Sequence, residues 1–422
     1  MIMRERKFLN RQVIAWAFYD WGNSAFALSV LAVLFPLFLG IYWSAGDPGT
    51  AVTARLTWAT AIASVIVSVI APVIGAVADS GGFRKRFLFI FATLGAISTA
   101  ALNVIDEGGW LPALGLYIFA SVGYYSANVF YDSLIVDVCR PRYYSLVSSL
   151  GHAIGYFGGA ILLSLHVWML YTPQTFGFDD TNEVVRFAFI TVGIWWLIFM
   201  TPLLFIVHES KYLRARSGST VRAAYQALSE TFHKIRNYRN VTLFLTAYWF
   251  FIGGLFTVIF MAVNFGQRLG FSSQDLVTAL LITNFVGFPA TLAYGYLGHR
   301  FGPKHTIYLG LGVYIIIVCW AVFLKDVRQF YAMSIIIGMV QGGVQGMSRS
   351  LYASLIPEQH AGEFFGFYNM VTKFSHILGP VLVGIVAWIS DEPKFILVVL
   401  LPMFVIGALM LMRVDTTDMR AD

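Results

Sequence analysis

The sequence predicts an all-α membrane protein: twelve transmembrane helices in two six-helix, pseudo-symmetric bundles. Three observations predict it: an extreme apolar composition, a series of span-length apolar runs, and an internal repeat half a chain apart. Of 422 residues, 58% are apolar, 16% aromatic and only 12% charged, and the mean hydropathy is +0.72. A water-soluble fold cannot hide that much apolar surface, and a disordered chain would not carry it. The sequence pI near 9.2 comes from 28 basic residues spread thinly, which is no nucleic-acid footprint. Two cysteines, Cys139 and Cys319, are too few for a disulfide framework or a metal-ligand set, and no cofactor is expected.

A helical span needs about 20 apolar residues. Charge-poor runs of that order lie near 13–40, 53–78, 87–105, 111–136, 143–170, 186–207, 241–265, 275–298, 306–324, 329–356, 364–389 and 395–412. Pro36, Pro72, Pro202, Pro289 and Pro380 interrupt some of them, which a bundle tolerates because neighbouring helices satisfy the freed backbone groups. No ten-residue alternation suggests a β-barrel. The first run follows a basic segment, but it exceeds a signal-peptide core and no clear cleavage site follows, so it is expected to stay as the first helix.

Orientation follows from the basic loops. If both termini share one side, that side collects 20 Lys and Arg and the other collects 6, with Arg349 and Lys373 left over. Both termini are therefore expected in the cytoplasm, with the chain in the cell membrane. The longest polar stretch, 208–240, carries seven basic and two acidic residues. It divides the chain into an N-terminal bundle (1–207), a cytoplasmic linker (208–240) and a C-terminal bundle (241–422). Residues 220–235 of the linker read as an amphipathic helix on the membrane surface, or else as plain solvated chain.

The halves repeat. Gly75-Ala-Val-Ala-Asp79-Ser-Gly-Gly82-Phe-Arg84-Lys85 joins spans 2 and 3. Gly295-Tyr-Leu-Gly-His299-Arg300-Phe-Gly302-Pro-Lys304-His305 joins spans 8 and 9, 220 residues later. Val136-Asp137 matches Pro357-Glu358 at a similar offset. Such symmetry marks a secondary transporter with its site between the halves. The first loop resembles the signature loop of the major facilitator superfamily, and the weaker second copy fits that pattern. Ser80 stands where the family has a base, and His299 where it has an acid, which puts the second gate in doubt. Two further stretches resemble the vacuole-effluxer-like branch, related to the autophagy-linked vacuolar amino-acid effluxers. One is Ala15-Trp-Ala-Phe-Tyr-Asp20-Trp-Gly-Asn23-Ser24. The other is Gln341 to Tyr352 with Ile356-Pro-Glu and Glu363-Phe-Phe-Gly-Phe-Tyr. That resemblance implies export of a neutral amino acid by alternating access.

A charge in hydrocarbon costs at least about 2.5–3.5 kcal/mol, so Asp20, Asp132, Arg349 and Lys373 demand explanation. Each lies eight to ten residues from a charged loop residue on the terminal side. At 1.5 Å per residue that is about 12–15 Å, one layer near the midplane. Helices 1, 4, 7 and 10 line the central cavity in the superfamily, so the resemblance turns Asp20, Asp132 and Arg349 toward it. Helical spacing sets Asn128 beside Asp132 and Gln345 beside Arg349, where the amides would satisfy the charges or a ligand. Asn23 lies next to Asp20. Tyr248 and Trp249 supply an aromatic wall, unless they only pack.

The functional expectation is a secondary transporter exporting a small zwitterion such as a neutral amino acid, with proton coupling as an option. Arg349 would hold a carboxylate. Asp20 or Asp132 would hold an ammonium or a proton. The loop residues Gly75, Asp79, Gly82, Arg84 and Lys85, with Gly295, Arg300, Gly302 and Lys304, would gate. Asp79 would accept from a helix N-terminus while Arg84 and Lys85 stay at the membrane surface. The alternative for the charged layer is a static salt-bridge cluster. The alternatives for the protein are an exporter of lipids or drugs, favoured if Arg349 turns outward, and a non-transporting receptor or scaffold. Enzyme motifs are missing: there is no phosphate loop and no paired-histidine metal motif. The expected partners are a small-molecule substrate and membrane lipid, with no nucleic acid, for a monomer.

Overall fold

A computed structural model describes residues 8–210, 238–389 and 398–416. The amphipathic helix expected over 220–235 lies outside the described residues. Twelve helical rods run through the described chain: α1 (Arg11–Trp43), α2 (Gly49–Gly81), α3 (Arg84–Val104), α4 (Trp110–Val138), α5 (Pro141–Tyr171) and α6 (Thr181–Ile206), then α7 (Arg239–Arg268), α8 (Ser273–Phe301), α9 (Pro303–Ala321), α10 (Val327–Leu355), α11 (Ala361–Ile389) and α12 (Leu401–Met412). Nine described helices are long and apolar enough to cross a membrane by length and composition alone. α10 and α11 are equally long at 29 residues each. α10 carries Arg349 and α11 carries Lys373 within these lengths. α12 is the short one.

The helix ends are set by local chemistry. Asn10 caps α1 by accepting from the backbone N–H of Gln12 at 2.8 Å and Val13 at 3.0 Å. Asp180 and Asp326 cap α6 and α10, and Ser272 with Asp275 forms a capping box on α8. Gly82 ends α2 at φ +62°, a conformation that costs glycine nothing. Pro36 lies just after a π-helical stretch at Phe26–Leu34 of α1. A proline cannot donate and its ring crowds the preceding turn, so the ladder widens there.

α1 packs on α5 and α6, α3 on α4 and α6, and α2 on α4. In the second half α8 and α9 pack on α10, and α7 on α11 and α12. Four pairings bridge the halves: α2 with α11, α5 with α8, α5 with α10, and α4 with α11. Small residues make the first two close. A side chain at Gly366 of α11 would meet the Ala71 carbonyl oxygen at 2.6 Å, and one at Gly295 of α8 would meet Ser149 Cβ at 2.8 Å. Outside, Trp58, Phe119, Phe205 and Phe323 are exposed, as a lipid-facing surface requires.

Candidate functional site

Two polar assemblies lie between the halves. The first is built on the α2–α3 loop. The Asp79 carboxylate accepts from the backbone N–H of Gly362 at 3.0 Å and Glu363 at 2.7 Å, so an acid of the first half caps α11 of the second. The positive end of α11 favours this charge. Arg84 Nε donates to Asp79 Oδ1 at 2.7 Å, its Nη1 to Asp137 Oδ2 at 3.1 Å, and its Nη2 to the Glu358 carbonyl at 3.2 Å. Arg84 is 2% exposed. This corrects the surface position expected for it: the guanidinium is buried because two carboxylates and a carbonyl replace its water. Gly75 lies where any side chain would run into the Gly362 carbonyl, so the crossing needs glycine. Gly82 supplies the turn.

The start of the linker fastens the same loop. Glu209 accepts from the backbone N–H of Arg84 at 2.7 Å and Lys85 at 3.2 Å, capping α3. Burial pushes its carboxyl up, against the pull of those two donors. Lys85 Nζ donates to the Val207 carbonyl at 2.6 Å, and the backbone N–H of Ser210 to Asp137 at 3.2 Å.

The second loop copy is weaker, as its sequence suggested. His299 Nδ1 lies 3.0 Å from the Arg142 carbonyl oxygen at the start of α5. Arg300 covers Phe301. Lys304 binds the Met412 and Val414 carbonyls at 3.0 and 2.7 Å. It therefore holds α12 rather than the other half. Gly302 adopts φ +90°, and Gly295 makes the α8–α5 approach.

The second assembly is the buried charged layer. Arg349 Nη1 donates to Asp132 Oδ1 at 2.9 Å, Nε to Ser148 Oγ at 2.9 Å, and Nη2 to the Ser148 carbonyl at 2.7 Å. The guanidinium also lies 4.9 Å from the Trp16 ring and 5.2 Å from the Tyr131 ring, a cation–π setting. Asn369 Nδ2 donates to Asp132 Oδ2 at 3.3 Å. Arg349 of α10 is thus tied to α4 and α5 of the other half. Gly151 makes room: a side chain there would meet the Tyr131 hydroxyl at 2.6 Å and Arg349 Nη2 at 3.1 Å.

Asp20 sits beside this pair but keeps different company. Its Oδ2 accepts from the Tyr131 hydroxyl at 3.2 Å and its Oδ1 from Ser24 at 3.4 Å, and His152 Nδ1 is 4.0 Å away. No guanidinium or ammonium among the described residues pairs with it.

Three expectations are corrected in detail. Asn128 is not bonded to Asp132; its carbonyl accepts from Asn23 at 2.8 Å, because Arg349 and Asn369 already fill the Asp132 carboxylate. Gln345 makes no hydrogen bond to Arg349, whose donors are taken by Ser148 and Asp132. Lys373 is buried at 3% exposure but outside the ionic cluster, with its Nζ 2.8 Å from the centre of the Tyr125 ring. Shared depth did not mean shared azimuth. Tyr248 stacks on Tyr368 at 4.5 Å and accepts from Thr372 at 3.3 Å. The Trp249 ring lies 5.4 Å from that of Phe250. Sequence reasoning missed Ser148, Tyr131 and Asn369. Asn369 lies at i+4 from Phe365 on the α11 face that leads to Lys373, and that spacing was the available signal.

Comparison with known proteins agrees with this architecture. A family model described as vacuole effluxer Atg22 like matches residues 41–143 and 140–422. The MFS-type transporter YxiO of Bacillus subtilis is 35% identical over 411 residues, 96% of this chain and 95% of that one. Autophagy-related protein 22 of Kluyveromyces lactis is 25% identical over 373 residues, 77% and 73% of the two chains. Among solved structures, the human organic anion transporter MFSD10 superposes with a TM-score of 0.75 at 16% identity, covering 95% of this chain and 99% of that one. The proton:xylose symporter XylE superposes at 0.71 and 16%, covering 96% and 94%. Those two establish the fold alone, an all-α bundle of the major facilitator type. With the family match over nearly the whole chain, this multi-pass membrane protein belongs to the Atg22-like vacuole-effluxer branch of the major facilitator superfamily of transporters.

Proposed function

We propose that the protein exports a small zwitterionic solute, of the neutral amino-acid class, by alternating access, with a proton as the coupling ion. The supporting observation is the division of labour in the buried layer. Asp132 and Arg349 neutralise each other across the halves, whereas Asp20 accepts from the neutral groups of Tyr131, Ser24 and Asn23, with a histidine nearby. Asp20 is therefore the carboxylate open to an ammonium or a proton. Asp132 and Arg349 form the lock that a rocking motion must break. An amphiphile exporter fits less well, because Arg349 turns inward and is 2% exposed.

The gate works with the lock. Asp79 on the α11 N-terminus and the Arg84 bonds hold one face of the bundle closed. By the basic-loop count that face is cytoplasmic, the termini lie on it, and the protein sits as a monomer in the cell membrane. Release of Asp79 from α11 would open that face and let solute load near Asp20, and remaking those bonds would close it while the far side parts. Each swing then costs one set of charge-assisted bonds and regains another.

Counterflow of labelled leucine into proteoliposomes tests the reading. Wild-type protein is expected to exchange leucine and to move protons in the opposite direction during net flux, seen with an internal pH dye. Asp20→Asn should keep the fold, lose net proton-driven flux and fall by at least about tenfold in exchange, the loss of one charged hydrogen bond. Full proton-coupled flux through Asp20→Asn would sink the assignment.

A further inference from the structure

We infer that Lys373 of α11, not Arg349, is the docking point for the anionic group of the transported solute, a carboxylate. This rests on the proposed function and names the other half of its site. Three observations carry it. First, Arg349 is already committed: Nε, Nη1 and Nη2 each donate to Ser148 or Asp132, and the Asp132 carboxylate at 2.9 Å balances its charge. A carboxylate arriving there would compete with Asp132 for one positive charge, and displacing Asp132 would leave it buried without its partner. Second, Lys373 is as buried as Arg349, yet among the described residues no carboxylate or carbonyl accepts from it. Its ammonium lies over the face of Tyr125. Ring attraction repays only part of the hydration that an ammonium gives up, so the side chain is held ready for an anionic partner that none of the described residues supplies.

Third, its place along α11 suits a docking point. Lys373 is one turn beyond Asn369, which donates to Asp132, on the side away from the α11 N-terminus that Asp79 caps. It therefore lies about 6 Å past the Arg349–Asp132 lock, on the side of the lock opposite the closed gate. With the gate closed, solute held by the ammonium therefore lies on the side of the lock from which an exporter releases it. A compact ammonium with three N–H donors accepts a carboxylate from several directions, and a charge-assisted bond forms in full only when the ion arrives. Its position on α11, whose first turn Asp79 holds, lets anion capture pull on the gated helix directly.

Binding to the purified full-length protein, followed by thermal shift and by equilibrium binding, separates the outcomes. The probes are leucine, leucinamide, which lacks the carboxylate, and 4-methylpentanoate, which lacks the amine. Wild-type protein is expected to bind leucine and 4-methylpentanoate and to ignore leucinamide. Lys373→Gln should weaken both carboxylates by about tenfold or more, and Lys373→Arg should keep the preference. Without ligand, Lys373→Gln should melt at the same temperature as wild type or higher, since it removes an unpartnered buried charge. Two results overturn the inference: a carboxylate preference unchanged in Lys373→Gln, or a lower melting point without ligand together with unaltered binding, the signature of a purely structural lysine. If wild type binds 4-methylpentanoate but not leucine, the amino-acid reading fails while the anion dock stands. If wild type binds no carboxylate, both fall.

Discussion

At the scale of single residues, the proposed lock is the buried Arg349–Asp132 ion pair. Removing one partner strands a buried charge, which costs about 3–5 kcal/mol. Arg349→Gln and Asp132→Asn should therefore each destabilise the protein markedly, while the double variant should lose much less than the two together, because neither charge is then left alone. Thermal unfolding of the four proteins in one detergent measures this. Strict additivity would mean that the pair, 2.9 Å apart, contributes nothing as a pair. Lysine should not replace Arg349, because it lacks the planar fork that reaches Ser148 and Asp132 at once. The sequence alone located this layer, because a charge deep in an apolar run is conspicuous. It could not tell which charges meet. Asp132 and Arg349 do, Lys373 does not, and the difference is the rotation of each helix about its axis. Ser148 was invisible for another reason: a serine in a span is ordinary until a guanidinium is seen to use its hydroxyl and its carbonyl.

At the scale of elements, the crossing of α2 and α11 depends on the absence of side chains. Gly366→Leu would drive its side chain into Ala71 and Pro72, whose backbone atoms lie 2.6–2.9 Å from the position of a Cβ. Overpacking of that kind costs about 1–3 kcal/mol, and here it should pry the two helices apart. A lower melting temperature and faster leucine exchange or leak are expected. Gly115→Ala on α4, where nothing lies within 4 Å, serves as the control and should be neutral or slightly stabilising, since alanine favours helix by about 1 kcal/mol. Equal melting temperatures for the two variants would contradict the tight crossing. The rods themselves were legible because bilayer thickness fixes their length. Even α10 and α11, which carry Arg349 and Lys373, showed as gaps between charged loops. The π-helical turn of α1 was not legible. Pro36 signals a distortion, but whether the chain kinks or widens is decided by what packs around it, here Tyr117, Trp43 and Phe38 about the ring of Phe35 and its neighbours.

At the scale of the whole molecule, the two halves are alike but gated unequally. Asp79 reaches the N-terminus of α11 and draws Arg84 into a buried network, whereas its counterpart His299 has a hydrogen bond with the Arg142 carbonyl and stacks on Tyr143. That asymmetry could be read in part from the sequence, where the acid of the first loop becomes a histidine in the second. What no sequence pattern showed is that the linker takes part, through Glu209 on the Arg84 and Lys85 backbone and Ser210 on Asp137. Those bonds tie the linker's first residues to the gate. The central claim is that the gate alternates and that Asp79 sets its balance. The direct measurement is a pulsed electron-spin distance across that face, with labels on cysteines placed at Ser80 and Gln359, both exposed, after the exposed Cys319 is replaced and with Cys139 left buried. Wild-type protein should show a dominant short distance and a minor long one. Asp79→Asn, having lost a charge-assisted cap of about 1.5–3 kcal/mol, should make the long distance dominant. A single distance, the same in both proteins, would contradict the account.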